Sequence, residues 1–332
     1  MKVETLVLGG GVGGVVASTV LKKALGRDMQ VTVVDRESYH FYAAAYPLLM
    51  IGQRKPEQIT RKIDSLRRKG IRVLQGEVNN LDLDKRQVVT DSGTLYYDYL
   101  IISLGVEFHP ETVPGFDQHV YNAYDFYDIV KFNQKLKAFK EGNLVFFISS
   151  LPIKCPPAPY EIMFLLDQFF RQQGRRNNIK LTLVTPESSP EPLAGPLVGE
   201  SIRKMFAERE IELITQAKIL TVEPKVLVLD HGIRIPGDLF LGIPSHWCPE
   251  VLRKTNLADE EGWVDVNQHT LETKYPGVYA IGDCTALKVP VTQVYAPKAG
   301  IFAHYQAEVV ARNIALQVKG KSPAFRYTGK GA

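Results

Sequence analysis

Between residues 146 and 170 the chain reads FFISSLPIKCPPAPYEIMFLLDQFF, an apolar strand, a turn and an apolar helix. The turn places Cys155 between Lys154 and the prolines 156, 157 and 159, and it holds no glycine. A thiol at the start of a helix is a candidate nucleophile, because a helix N-terminus favours negative charge and hence the thiolate. Lys154 beside it acts in the same direction. Proline is well tolerated in a first helical turn, so the prolines can fix the direction of the thiol without weakening the helix. The bland alternative is a structural cysteine that fills a turn. Against it stands the rigid loop built around the sulfur.

A second set of residues opens the chain. MKVETLVLGGGVGG reads as a buried strand followed by Gly9, Gly11 and Gly14 in G-x-G-x-x-G spacing, then a helix, then the strand QVTVVD ending at Asp35 and followed by Arg36. One glycine permits the tight turn, one lets the backbone approach a pyrophosphate, and one lets the helix sit close to the sheet. The helix N-terminus faces the phosphates, and a carboxylate at Asp35 can accept the ribose hydroxyls. The glycine spacing alone is a weak signal; flanked by both strands and the acid it specifies a dinucleotide site.

The cysteine turn occupies the matching place in a second βαβ pattern, with a strand at 143–150, a helix at 160–174 and a strand at 179–187 ending in Glu187. Here the scaffold is repeated without its phosphate cradle. Prolines lack the N–H that a pyrophosphate needs, and without glycine side chains block close backbone approach. This second pattern is expected not to bind NAD(P)H. The helical stripe Ile162, Met163, Leu165, Leu166, Phe169 and Phe170 reads as core packing.

The elements that position these residues come from a chain of 332 residues, enough for two or three domains. It is 45% apolar, and its net charge of +4, from 40 basic against 36 acidic residues, is too mild to imply nucleic acid. No apolar run approaches ~20 residues, so no spanning helix is expected. The first strand begins at Lys2, leaving no room for a signal peptide, so a cytoplasmic or peripheral membrane location is expected. The three cysteines are too few and scattered for a disulfide framework or zinc cluster, and none of the seven histidines forms a metal-like pair, so no metal is expected. The stretch 317–332 carries Lys319, Lys321, Arg326 and Lys330 and no acid; it is either solvated or meets anionic lipid.

Further segments carry a resemblance. GVYAIGDCTA at 277–286 resembles the flavoprotein signature in which the aspartate of Gly-Asp, here Gly282 and Asp283, holds the FAD ribityl chain. YDYLIISLG, ending at Gly105, resembles the other flavoprotein strand, usually written with ATG where this chain has SLG. In this order the segments imply FAD at the first site and the two-dinucleotide-domain α/β fold of glutathione-reductase-like enzymes. The expected organisation is an FAD domain in two parts, 1–105 and 236–332, with a second Rossmann-like domain, 106–235, inserted and carrying Cys155.

CPPAPYE at 155–161 resembles the motif of sulfide:quinone oxidoreductases and of the flavoprotein subunit of flavocytochrome c sulfide dehydrogenase. The resemblance covers essentially the whole chain. It implies that Cys155 is a flavin-facing thiol working with a second redox cysteine. Glu161 becomes a candidate proton-handling carboxylate, or else only caps or solvates the helix start. The segment 294–315 is similar to a turn and helix aimed at the flavin's pyrimidine end, where Lys298 would stabilise the anionic reduced ring, or else be a surface lysine. YHFYAAAYPLLM at 39–50 matches a flavin-side loop in which Pro47 would rest on the ring, or else serves inter-domain packing.

For the partner of Cys155, Cys284 suits a small core position and Cys248 could lie nearer the flavin; neither is favoured. The family places its second redox cysteine in a segment shaped like Y-x-G-x-G-x-C, and this chain has YTGKGA at 327–332. That cysteine and a membrane-binding segment are therefore expected beyond Ala332. No cysteine precedes Cys155, so FAD is expected to be non-covalent. The implied reaction is oxidation of sulfide to polysulfide or zero-valent sulfur, with electrons passed to a quinone, or to cytochrome c as in the flavocytochrome relatives; an oligomer is left open. Two other readings share the fold, a type-2 NADH dehydrogenase and a non-catalytic FAD-binding redox protein.

Overall fold

The computed structural model describes residues 2–291 and 293–331. The stretches 1–14 and 327–332 are thus described from Lys2 and as far as Gly331; Met1, Thr292 and Ala332 lie outside the described residues. The elements that build the two main sheets and cover them are, in chain order, β1 (Val3–Leu8), α1 (Val12–Leu25), β2 (Met29–Asp35), α2 (Tyr46–Met50), β3 (Arg72–Gln75), β4 (Tyr99–Ile102), β5 (Val120–Asn122), α3 (Phe126–Ala138), β6 (Gly142–Ile148), α4 (Ala158–Gln172), β7 (Ile179–Val184), α5 (Pro196–Glu208), β8 (Ile211–Ile214), β9 (Leu239–Ile243), β10 (Val278–Ala280) and α6 (Gly300–Val318).

The chain divides into two compact units. The first holds residues 1–40, 61–107 and 247–332, and the second holds 41–60 and 108–246. Residues 41–60, which precede the stretch expected to be inserted, therefore group with the second unit.

In the first unit the described strands form a parallel sheet in the order β10-β4-β1-β2-β3. The strands are short runs of β-branched and apolar residues buried on both faces, the pattern of a parallel sheet covered by helices. Val7, Val31, Val33 and Ile101 from the strands meet Ala17 and Leu21 of α1 and Ala307, Val310 and Ile314 of α6 in one core. Because β1 lies between β4 and β2, connections leave it in opposite directions, and a crevice opens beyond the carboxyl ends of the strands. Tyr327 is buried in the same core and its N–H donates to the His269 carbonyl, 2.8 Å. The basic tail is thus held at Tyr327 and, through Asn313 of α6, at the backbone of Ala324 and Phe325, while the side chains of residues 321–326 remain exposed.

The second unit repeats the plan with the order β5-β9-β6-β7-β8, again all parallel. The apolar stripe of α4 packs as expected. Ile162, Met163, Leu166 and Phe170 are buried, and Leu165 and Phe169 lie partly buried against the same core. This helix begins at Ala158, two residues earlier than the apolar pattern alone suggests. Prolines at 157 and 159 sit at its cap and first turn, where a missing N–H removes no intrahelical bond. Strand β7 ends at Val184, short of Glu187, which lies in the following loop. Each unit also carries an antiparallel three-stranded sheet, within residues 78–96 and 219–236 respectively.

Candidate functional site

Strand β1 delivers Gly9 to the carboxyl edge of the first sheet, and the three glycines there are not interchangeable. Gly9 has φ of 97°, and a Cβ on it would lie 2.2 Å from the carbonyl oxygen of Ser103, just past the end of β4. A Cβ on Gly14 would lie 1.8 Å from the Gly9 carbonyl oxygen, so only glycine lets α1 pack this closely on β1. Gly11 meets no described atom within 4 Å of a built Cβ. It caps α1, whose first turn has no side-chain cap among the described residues.

Asp35 closes β2 beside this loop. Its Oδ2 accepts from the Gly10 N–H and its Oδ1 from the Glu37 N–H, the latter at 2.7 Å. Gly9, Gly11, Asp35, Arg36, Gly105 and Val106 line one cleft of about 280 Å³. Arg36 lies 3.5 Å from Glu77 at the cleft's exposed rim. Gly105 has φ of 70° and likewise faces open space. The cleft therefore offers uncapped helix N–H groups, a close-approach glycine and a carboxylate with unused lone pairs, the donor and acceptor set that a dinucleotide requires.

Beyond β10 the first unit holds a second glycine turn. Gly282 has φ of 75°, and its N–H donates to Gln306 Oε1 on α6, 2.6 Å away. Lys298 is turned toward this segment. Its Nζ donates to the carbonyls of Asp283, 2.8 Å, and Thr285, 3.3 Å, and lies 3.3 Å from the centre of the Trp263 ring. Burial holds its pKa below the usual lysine range. Lys298 is thus not a surface lysine; it braces the backbone that presents Asp283. Gln306 and Trp263, which do the bracing with it, carried no signal in the sequence because each is meaningful only through a partner far along the chain.

Cys284 is fully buried and its thiol donates to the Ile281 carbonyl, 3.4 Å. Cys248 is buried beside it and donates to the Cys284 carbonyl, 3.6 Å. Burial pushes the Cys284 thiol up to about 12 and raises Cys248 further. Burial and these hydrogen bonds disfavour the reactive thiolate at both.

In the second unit Cys155 is exposed. It stands three residues ahead of α4 in the left-handed backbone region, φ 49°, which costs a non-glycine residue about 1–2 kcal/mol. Its carbonyl accepts two hydrogen bonds, from the Ala158 N–H at 3.0 Å and from the Tyr124 hydroxyl at 3.2 Å. The Lys154 ammonium lies 4.6 Å from the Phe108 ring centre and 5.4 Å from that of Tyr124. Glu161 is exposed in the first turn of α4. Pro47 is buried in α2 of this same unit, while its neighbours Tyr46, Leu49 and Met50 join the core formed with α3 and α4. The expected site residues thus fall into two groups. Gly9, Gly11, Gly14, Asp35, Arg36, Gly105, Gly282, Asp283 and Lys298 belong to the first unit, and Pro47, Cys155 and Glu161 to the second.

The acid that follows β7 is not presented as Asp35 is. Glu187 is buried; its Oε2 accepts from the Tyr160 hydroxyl on α4 and from Thr185 Oγ1, the latter at 3.0 Å. Burial raises its pKa. Glu191, also buried, has an Oε1 with no hydrogen-bond partner among the described residues. Burial, reinforced by the nearby Glu187 charge, pushes it up to about 7. Side chains of the unit itself occupy the acid that would otherwise face a ribose.

Residues 3–145 match the family model described as pyridine nucleotide-disulphide oxidoreductase. The mitochondrial sulfide:quinone oxidoreductase of Mus musculus is 30% identical over 98% of this chain and 74% of its own length. The mitochondrial sulfide:quinone oxidoreductase of Schizosaccharomyces pombe is 27% identical over 98% of this chain and 76% of its own. The crystal structure of the sulfide:quinone oxidoreductase from Aquifex aeolicus superposes with a TM-score of 0.86, covering 96% of this chain and 78% of that one at 24% identity, which establishes the shared fold. With the glycine loop, the two parallel-sheet units and the cysteine turn in place, these similarities make the chain a member of the sulfide:quinone oxidoreductase family, an oxidoreductase built on the FAD-binding fold of the pyridine nucleotide-disulphide enzymes.

Proposed function

We propose that this protein oxidises sulfide at Cys155 and delivers the electrons through non-covalent FAD to a quinone. The observation that carries the reading is the cysteine turn: an exposed thiol on a left-handed, doubly hydrogen-bonded backbone at the place where a nucleotide-binding unit would have its glycine loop. In this reading Gly9, Gly11 and the start of α1 hold the pyrophosphate, Asp35 the ribose, and Gly282 and Asp283 the ribityl chain, with Arg36 and Gly105 at the cleft wall. When bound, FAD supplies a two-electron acceptor for sulfur and a donor for quinone.

The chain's own residues do the rest. Hydrosulfide attacks the partner sulfur of a disulfide between Cys155 and a second thiol, the two-electron oxidant of this step; the S–S bond breaks, a persulfide remains on the partner sulfur and the Cys155 thiolate leaves. Cys248 and Cys284 are both buried with their thiols on backbone carbonyls, which disfavours either as that second thiol. Glu161 takes up protons released as sulfide is consumed, and its exposure in the first turn of α4 gives it access to solvent. Lys298 acts by holding the Asp283 segment rather than as an open cation.

An NADH-driven reading is disfavoured by the prolines of the turn and by Glu187, whose carboxylate is engaged by Tyr160 and Thr185. The test is anaerobic addition of sulfide, and separately of NADH, to the oxidised yellow protein while the flavin absorbance is followed. Sulfide alone should bleach it, and Cys155→Ala should slow that bleaching at least ~1,000-fold, the scale of a lost covalent nucleophile. Bleaching by NADH would favour the dehydrogenase reading, and bleaching by neither a non-catalytic one. Cys155→Ala bleaching at the wild-type rate would remove the thiol from the mechanism.

A further inference from the structure

We propose that Tyr124 is the positioning residue of the cysteine turn, gripping it at two consecutive residues; this deepens, and rests on, the role assigned to Cys155. Tyr124 follows β5, and its own place is firmly set. Its N–H donates to Asn122 Oδ1, 2.8 Å, and the preceding Ala123 N–H donates to the Gly242 carbonyl of β9, 2.8 Å. Asp125 then caps α3 by accepting from the Asp128 N–H, 2.9 Å. The Tyr124 ring is 7% exposed and lies edge-on to His246, with centres 5.7 Å apart; His246 in turn lies edge-on to Phe108 at 5.0 Å. The His246 ring is oriented by Nδ1 against the Pro244 carbonyl, 2.8 Å.

From this fixed base the tyrosine reaches the loop twice. Its hydroxyl donates to the Cys155 carbonyl, and its ring face, with that of Phe108, receives the Lys154 ammonium. A left-handed cysteine benefits from such an external hold, because the conformation is intrinsically disfavoured. The direction in which the sulfur leaves the backbone follows from that φ. The hydroxyl of Tyr124 therefore sets where the thiol stands without touching sulfide or flavin.

The test uses the full-length flavoprotein with Tyr124→Phe, which deletes only the hydroxyl and keeps the ring. Amide hydrogen exchange at Cys155, Ala158, Tyr160 and Glu161 should accelerate about 3- to 10-fold, the scale of one net hydrogen bond, with exchange elsewhere unchanged. Sulfide-driven flavin reduction at saturating sulfide should slow by a similar factor, with the half-saturating sulfide concentration unchanged. Lys154→Met, which spares the hydroxyl bond, should leave the exchange of these amides within about 2-fold of wild type. Wild-type exchange at these amides in Tyr124→Phe overturns the proposal. So does uniform loosening of the whole second unit, which would make Tyr124 an ordinary core residue, and so does equal loosening by Lys154→Met. Were Cys155→Ala to keep its sulfide rate, the sulfide reading would fall while the exchange data still judged the grip on the turn.

Discussion

Replacing Glu191 by glutamine should stabilise the protein above neutral pH and do little in acid. The carboxyl is buried next to Glu187, and its Oε1 has no hydrogen-bond partner among the described residues. Its pKa rises from 4.5 in the unfolded chain to about 7 in the fold. Between these values the folded state retains a proton that the unfolded chain has released, so stability falls as pH rises through the window. Below it no penalty exists, and above it both states are ionised and the penalty is constant. At 1.36 kcal/mol per pH unit the ceiling is about 3 kcal/mol; water entry and local relaxation around a surface-proximal loop reduce it to about 1–2 kcal/mol. Glutamine matches the shape and removes the charge, so at pH 8 the variant should melt roughly 2–6 °C higher than wild type, and at pH 4 within about 1 °C. Differential scanning fluorimetry from pH 4 to 9 reads both curves. A variant whose melting temperature parallels wild type across that range would show that Glu191 ionises freely. The closed surroundings of Glu187 and Glu191 would then be wrong, and with them the structural argument against a nucleotide in the second unit.

Two further outcomes test the first unit. Gly14→Ala puts a Cβ 1.8 Å from the Gly9 carbonyl oxygen, so α1 must move off β1; a loss of about 1–3 kcal/mol and a several-fold fall in bound flavin are expected, read by melting and by the flavin-to-protein absorbance ratio. Lys298→Met removes the donors to the Asp283 and Thr285 carbonyls and should destabilise by about 1–3 kcal/mol, with weaker flavin retention on dilution; an unchanged melt and unchanged retention would show that the ammonium braces nothing.

Local signals carried much of this molecule. The glycine spacing with its flanking strands and Asp35 located the first site, since turn, close approach and carboxylate are all properties of neighbouring residues. The stripe on α4 announced a buried face by its period alone. The prolines at 157 and 159 made the second turn unlike a phosphate loop, because a missing N–H is a fact of composition. The roles settled by distant partners were illegible. Lys298 read either as a cation for the flavin or as a surface lysine, and its bonds to the carbonyls of Asp283 and Thr285 and its place on Trp263 could not be read from its neighbours. Glu187 read as the end of a strand, yet it is buried under Tyr160. Nothing near residue 124 hinted that a tyrosine 31 positions before the cysteine would hold its carbonyl. Sequence order dictated which residues form each turn, because backbone preference and side-chain period act over a few residues. Which side chains fill, brace or close those turns was decided by the parallel sheets, which bring the carboxyl ends of strands far apart in the chain to one edge.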